Sequence, residues 1–303
     1  MRFGLDAQRK GYLFAFLASI TASFNYIFSK YALQYLEPLI FCIFWFAAGS
    51  VYSLAYVLLK TRGRGLRLRR SIVPPTAAVG LFSAISVIGI FTAIKLLDPT
   101  VAAFFARMDL AFVLLIAVAF LGERFNIREG AGVAIAGIGI LIINWQSTPV
   151  VWAGFSWMML GCAAFAVYSA ISKQHIREIR PEILTFYRAF LVTLFLGAYA
   201  AGTGQFEQLM SANTRGVLAA VIGTFFGPFL NHLLIFKSIR LVEVSKCMVV
   251  RQGTPVFVAI ASFTILEMHP TLEQVIGGLL IILGILVLIL AGRPRKLEAE
   301  TSP

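Results

Sequence analysis

The sequence predicts an all-α polytopic membrane protein of ten transmembrane helices, arranged as two inverted five-helix repeats. Three observations carry that expectation. Of the 303 residues 59% are hydrophobic and 13% charged, against roughly a quarter charged in a soluble domain. Apolar runs long enough to cross a hydrocarbon core of about 30 Å follow one another almost end to end. The chain also repeats itself: Arg107 lies in an apolar span that closes on Leu121-Gly122-Glu123, and Arg251 lies in a similar span that closes on Glu267. Each arginine precedes its glutamate by 16 residues. A buried charge at a fixed distance from a terminal carboxylate is hard to obtain by chance, so the chain reads as an internal duplication.

In order, the spans are 11–29, 38–59, 73–95, 99–121 and 130–144, then 152–172, 182–201, 216–236, 244–266 and 274–291. The first follows Arg9 and Lys10 and has the look of a signal peptide. It runs on past Phe24 to about Phe28 and has a counterpart in the second half, which favours a retained span. The second ends in a basic run from Lys60 to Arg70, and the fourth carries Arg107 and Asp109. The fifth is rich in glycine, from Gly130-Ala131-Gly132 to Gly137 and Gly139, as is the tenth at Gly277-Gly278. Such small residues suit close helix packing, a homodimer contact included. The period-two alternation of a membrane barrel is absent, which leaves helices to satisfy the backbone in lipid. Residues 1–146 form the first repeat, 147–291 the second, and 292–303 a cytoplasmic tail. Cys42, Cys162 and Cys247 fall singly in or beside apolar runs and read as free structural thiols.

The formal charge of +12 suggests nucleic acid only until the charges are placed. With both termini cytoplasmic, most of the 26 Lys and Arg fall in loops on that one face, as the positive-inside rule requires. Lys30, Lys95 and Arg215 fall on the other face, and Arg107, Arg188 and Arg251 fall inside spans. The charge is therefore mostly topological: the partners expected are the bilayer of a cell membrane, a bacterial inner membrane, and a small-molecule substrate, with no nucleic acid.

An odd number of spans per repeat makes the second copy enter from the opposite side. The halves then relate by a pseudo-two-fold axis in the membrane plane, with polar groups of both copies meeting at mid-depth. Ser29-Lys30 falls on Ser172-Lys173, Pro38 on Pro181 and Phe44-Trp45 on Tyr187-Arg188. Arg188 has no charged twin in the first half.

Phe120-Leu121-Gly122-Glu123-Arg124, Gly130-Ala131-Gly132, Thr185-Phe186-Tyr187-Arg188-Ala189-Phe190 and Thr254-Pro255-Val256-Phe257-Val258-Ala259 occur in an order that resembles EamA-type members of the drug/metabolite transporter superfamily. The resemblance spans essentially the whole chain in two copies. It implies ten helices around a central site with alternating access, and export or uptake of small metabolites such as amino acids or vitamins. Two departures stand out: Arg107-Met108-Asp109 replaces the family's proline in the fourth span, and the second glutamate motif is degraded to Ile265-Leu266-Glu267-Met268.

An arginine at the bilayer centre costs about 2.5–3.5 kcal/mol on insertion scales, so Arg107, Arg188 and Arg251 call for a cavity or a partner. Asp109 can neutralise one of the three. It stands about 200° from Arg107 around a helix, so its partner must come from another helix; proton coupling is its alternative role. Guanidinium offers planar, bidentate donors matched to carboxylate or phosphate, which makes the expected substrate anionic or zwitterionic. Gly227-Pro228 and Gly253-Thr254-Pro255 mark interruptions where hydroxyls and freed carbonyls face substrate, so Thr254 and Asn231 join the candidate site. Tyr26, Trp45, Tyr168 and Tyr187 are placed to stack on a planar substrate, while His232 reads as a packing residue.

No HExxH or GxSxG motif occurs, and His175, His232 and His269 lie at three depths, so no catalytic residue, metal or cofactor is assigned. The expectation is a secondary-active transporter of a small metabolite, with a flippase-like carrier of a lipid-linked anionic headgroup as the alternative.

Overall fold

The computed structural model describes residues 2–63, 65–121, 131, 132, 134, 135, 137–139, 142, 149–176, 178–242, 247, 250, 251, 254–266 and 271–291. Gly122, Glu123, Arg124, Gly130, Gly253, Glu267 and the 292–303 tail lie outside them, and so does the expected boundary between the repeats. Among the described residues all regular structure is helical. Six helical stretches are long and apolar enough to cross a membrane: Arg9–Ala32, Pro38–Thr61, Val73–Leu96, Val151–His175, Pro181–Gly202 and Thr214–Leu241. They coincide with the first, second, third, sixth, seventh and eighth spans read from the sequence. The protein is a multi-pass membrane protein.

The first three helices are α1 (Arg2–Ala32), α2 (Pro38–Thr61) and α3 (Val73–Leu96). The fourth span is not the continuous 99–121 helix the sequence suggests. Helix α4 (Pro99–Phe105) stops, and the chain tightens as Arg107 N–H donates to Phe104 O at 3.0 Å and Asp109 N–H to Ala106 O at 3.1 Å. Helix α5 (Met108–Leu121) then resumes. In the second half, α6 (Pro149–His175), α7 (Pro181–Gly202) and the short α8 (Phe206–Met210) lead to α9 (Thr214–Thr224). The Asn213 side chain caps α9 by accepting from Arg215 N at 2.9 Å and Gly216 N at 3.4 Å. Residues Phe225–Asn231 form a π-helical turn with Pro228 inside it, and α10 (His232–Leu241) continues the span. The missing amide of proline and the small Gly227 account for the irregular turn. Helices α11 (Thr254–Leu266) and α12 (Leu272–Ala291) complete the described chain.

Several contacts recur 143 to 145 residues later. Pro38 and Pro181 each open a helix behind an extended residue, Glu37 and Arg180. Lys30 Nζ donates to Ile94 O, Lys95 O and Leu97 O at 3.0, 3.2 and 2.6 Å, closing the end of α3. Lys173 Nζ does the same at the end of α10, to Ile239 O at 2.7 Å and Val242 O at 3.1 Å. A cation on the last carbonyls suits both the unsatisfied acceptors and the helix dipole. Ser86 Oγ donates to Gly161 O at 2.8 Å, tying α3 to α6; Asn231 Nδ2 donates to Ala18 O at 2.6 Å, tying the π turn to α1.

Helices α3 and α6 cross at Gly89 and Gly161, where a Cβ on Gly89 would stand 2.8 Å from Gly161 N. Gly139 approaches Gly277 O as closely, at 2.5 Å for a Cβ, which is the packing use expected of those glycines. Lys60 and Glu182 pair where α2 ends and α7 begins. Lys95 Nζ meets Glu37 Oε1 at 2.7 Å near the other end of α2. Cys42, Cys162 and Cys247 are free and buried.

Candidate functional site

The buried faces of these helices leave a cavity of about 90 Å³. Helix α1 contributes Asn25 and Tyr26, α2 Trp45 and Phe46, and α3 Ser86 and Phe91. The break between α4 and α5 puts Arg107 and Asp109 on its wall. Opposite stand Phe165 and Tyr168 of α6, Arg188 of α7, Asn231 and His232 at the π turn, and Arg251. Of the nine residues expected from sequence, Arg107, Asp109, Arg188, Arg251, Trp45, Tyr168 and Asn231 therefore share one wall-to-wall space.

Tyr187 and Thr254 stand elsewhere. Tyr187 is the neighbour of Arg188, and successive helical residues point about 100° apart, so both cannot face the cavity; the Tyr187 hydroxyl donates to Leu66 O instead. Thr254 is fully buried, and its Oγ1 turns back along the helix to donate to Arg251 O at 2.8 Å. His232, read as packing, lines the cavity, as do Asn25, Phe46, Ser86 and Phe165, which the sequence reading did not single out.

Three arginines face one carboxylate here, all at 6% exposure or less. Arg107 donates from Nε to Ala103 O at 3.2 Å and from Nη1 to Arg251 O at 2.7 Å, so its charge is held by carbonyl dipoles. Arg251 Nη1 lies 4.0 Å from Asp109 Oδ2, and its Cζ lies 5.9 Å from the Phe165 ring. Asp109 thus meets an arginine of another helix, as its angular distance from Arg107 requires. Its Oδ1 is buried with no hydrogen-bond partner among the described residues.

Arg188 differs from the other two. Its Cζ sits 5.2 Å from both the Phe46 and the Tyr168 ring centres, and its Nε donates to Ser83 Oγ at 2.6 Å. Its Nη1 is buried without a hydrogen-bond partner among the described residues. A desolvated donor on a charged group costs about 1–3 kcal/mol or more when left unmade, so this atom is an unmet demand in the cavity wall, as Asp109 Oδ1 is. Among the described residues no group of three His, Cys, Asp or Glu side chains converges as a metal site.

Residues 9–145 and 152–290 each match the EamA-like transporter family. The chain belongs to that family. Among its relatives is an uncharacterized transporter of Archaeoglobus fulgidus, 25% identical over 266 residues that cover 86% of this chain and 91% of the relative. The uncharacterized transporter YyaM of Bacillus subtilis is 22% identical and covers 88% of each chain. The uncharacterized inner membrane transporter YhbE of Escherichia coli K12 is 26% identical over 50% of this chain and 43% of its own. A solved crystal structure shares the fold, with a TM-score of 0.61, 19% identity and coverage of 95% of this chain and 98% of the other. Positions 45 and 188 stand 143 residues apart, as Pro38 and Pro181 do, and hold tryptophan and arginine, so the cavity walls differ in chemistry.

Proposed function

We propose that this EamA-like protein is a secondary-active carrier that moves a small anionic or zwitterionic metabolite, such as an amino acid, a carboxylate or a vitamin-like compound, by alternating access. The single observation behind the charge preference is that Arg188, which lines the cavity, keeps its Nη1 buried with no hydrogen-bond partner among the described residues. In this reading a carboxylate or phosphate binds there, while the Phe46 and Tyr168 rings hold the guanidinium plane and Trp45, Asn231 and the Arg107–Asp109–Arg251 cluster complete the pocket. Ten helices form two inverted repeats, residues 1–146 and 147–291, with both termini and the 292–303 tail in the cytoplasm. The contacts recurring at 143 to 145 residues support that architecture, since Lys30 and Lys173 close equivalent helices. Two inverted copies meeting at one cavity give two gates to one site.

Counterflow in proteoliposomes, with short carboxylates, amino acids, inorganic phosphate and cationic amines as probes, tests the reading. Exchange of anions or zwitterions is expected. A strict preference for cationic amines overturns it.

A further inference from the structure

We propose that His232 is the proton-binding group of the cavity, and that a proton on its ring and an anion on Arg188 hold each other in place through the Tyr168 hydroxyl. The inference rests on the carrier reading above and names its coupling ion.

His232 opens α10 directly after the π turn, and its ring lines the cavity. Its Nδ1 lies 3.4 Å from Gly227 O and its Nε2 3.3 Å from the Tyr168 hydroxyl. A carbonyl only accepts, so Nδ1 carries the hydrogen and Nε2 of the neutral ring presents a lone pair, to which Tyr168 donates. The phenol proton is then committed to the ring and kept from the cavity. Add one proton, and both ring nitrogens donate. The Tyr168 oxygen must now accept from Nε2, and its own proton turns away from the imidazole, on a ring whose centre lies 5.2 Å from Arg188 Cζ. An anion on Arg188 then meets two donors, the guanidinium N–H and the phenol O–H, where the neutral ring offers one. It also supplies the counter-charge that a protonated ring needs among three guanidinium groups. By linkage the effect is reciprocal: the proton strengthens anion binding as much as the anion strengthens proton binding.

The titratable and charged groups that line the cavity with this ring are Tyr26 of α1, Cys162 and Tyr168 of α6, Arg188 of α7, and Arg107, Asp109 and Arg251. Imidazole can gain or lose a proton at a ring nitrogen while keeping a hydrogen bond at the other, which suits it to carry a proton across this cavity. One proton moves with one anion: it is taken from water on the first side onto Nε2 and returned from Nε2 to water on the second. For a monoanion the pair crosses without net charge, which spares about 2.3 kcal/mol per charge for each 100 mV of membrane potential.

The test uses the full chain in nanodiscs, titrated with short monocarboxylates, amino acids and inorganic phosphate in weak buffer between pH 6 and 8. Expected for the probe that binds are uptake of up to about one proton per anion and an affinity that rises by up to about tenfold for each pH unit lowered. H232Q and Y168F are expected to flatten that slope. In the wild type, nitrogen-15 spectra of histidine are expected to show one imidazole gaining a proton when the probe is added at constant pH. Anion binding without proton uptake overturns the proposal and leaves the carrier reading standing. A slope that survives H232Q and disappears in D109N transfers the role to Asp109, which also overturns it. Failure of every anionic and zwitterionic probe to bind removes both.

Discussion

Replacing Arg188 by methionine separates binding from folding, because binding is expected to weaken while stability stays close to unchanged. Methionine keeps a long flexible side chain between the Phe46 and Tyr168 rings while deleting the guanidinium. The fold gains relief of the partnerless Nη1, worth about 1–3 kcal/mol, and relief of part of the insertion cost of a buried arginine, about 2.5–3.5 kcal/mol. It loses two ring contacts at about 0.5–2 kcal/mol each and the bond to Ser83, whose hydroxyl is free to turn back onto its own helix. The gains and losses are of similar size, so the net change in stability is expected to be close to zero. Anion binding loses a charge-assisted hydrogen bond of about 1.5–3 kcal/mol, or roughly 10- to 150-fold in affinity at 1.4 kcal/mol per decade. The assay pairs a thermal midpoint in detergent with titration of the anionic probe that binds the wild type. A midpoint close to unchanged with weakened binding is expected. A lowered midpoint with unchanged affinity would refute the reasoning, because Arg188 would then be a structural residue only.

The recurring contacts make a paired prediction: K30M and K173M should destabilise by similar amounts, about 1–3 kcal/mol for a lost charged cap, read as matching shifts in thermal midpoint. G89A places a Cβ 2.7 Å from Trp157 O and 2.8 Å from Gly161 N, so the α3–α6 crossing must shift, at about 1–3 kcal/mol of overpacking; an unchanged midpoint would contradict that contact. For the Lys60–Glu182 pair the side chains are 45% and 8% exposed, and exposure of the lysine limits the interaction. A double-mutant cycle through K60M and E182Q is expected to give a coupling below about 1 kcal/mol.

Much of the fold was legible because lipid dictates it. A span needs about 20 apolar residues, and the six long helices fall where such runs were read. The interruption at Ala106-Arg107 was not, since no glycine or proline stands there and the break depends on where Arg107 places its own backbone and guanidinium. Pro228 announced the irregular eighth span, although not that it takes the form of a π turn. In the site, the arginines and Asp109 stood out as charges inside apolar runs. Asn25 and Ser86 did not, because small polar residues in such helices usually bond their own backbone, as Ser19 Oγ does with Ala15 O and Thr76 Oγ1 with Ile72 O. Whether Ser86 turns inward or crosses to Gly161 is decided by helix rotation, which one sequence encodes only through its packing partners. The same rotation carried Tyr187 away from the cavity that Arg188 faces.

The pairing of position 45 with position 188 explains how a repeated scaffold arrives at a one-sided site. Trp45 packs on Phe41 with ring centres 4.7 Å apart and on Phe91 at 5.9 Å, and its ring closes against Gly223 and Gly227. Arg188, at the matching place on α7, has Ser83 for its Nε and two rings for its plane. An arginine at both positions would add a fourth positive charge to a cavity with one carboxylate among the described residues; a tryptophan at both would leave a single neutral indole N–H where α7 now offers a guanidinium. Divergence at this pair therefore lets one wall supply apolar contact and the other charge, while Lys30 and Lys173 keep equivalent helix ends closed. In the alternating-access reading proposed above, that difference between the walls would hold the substrate in one orientation while the two halves act as gates.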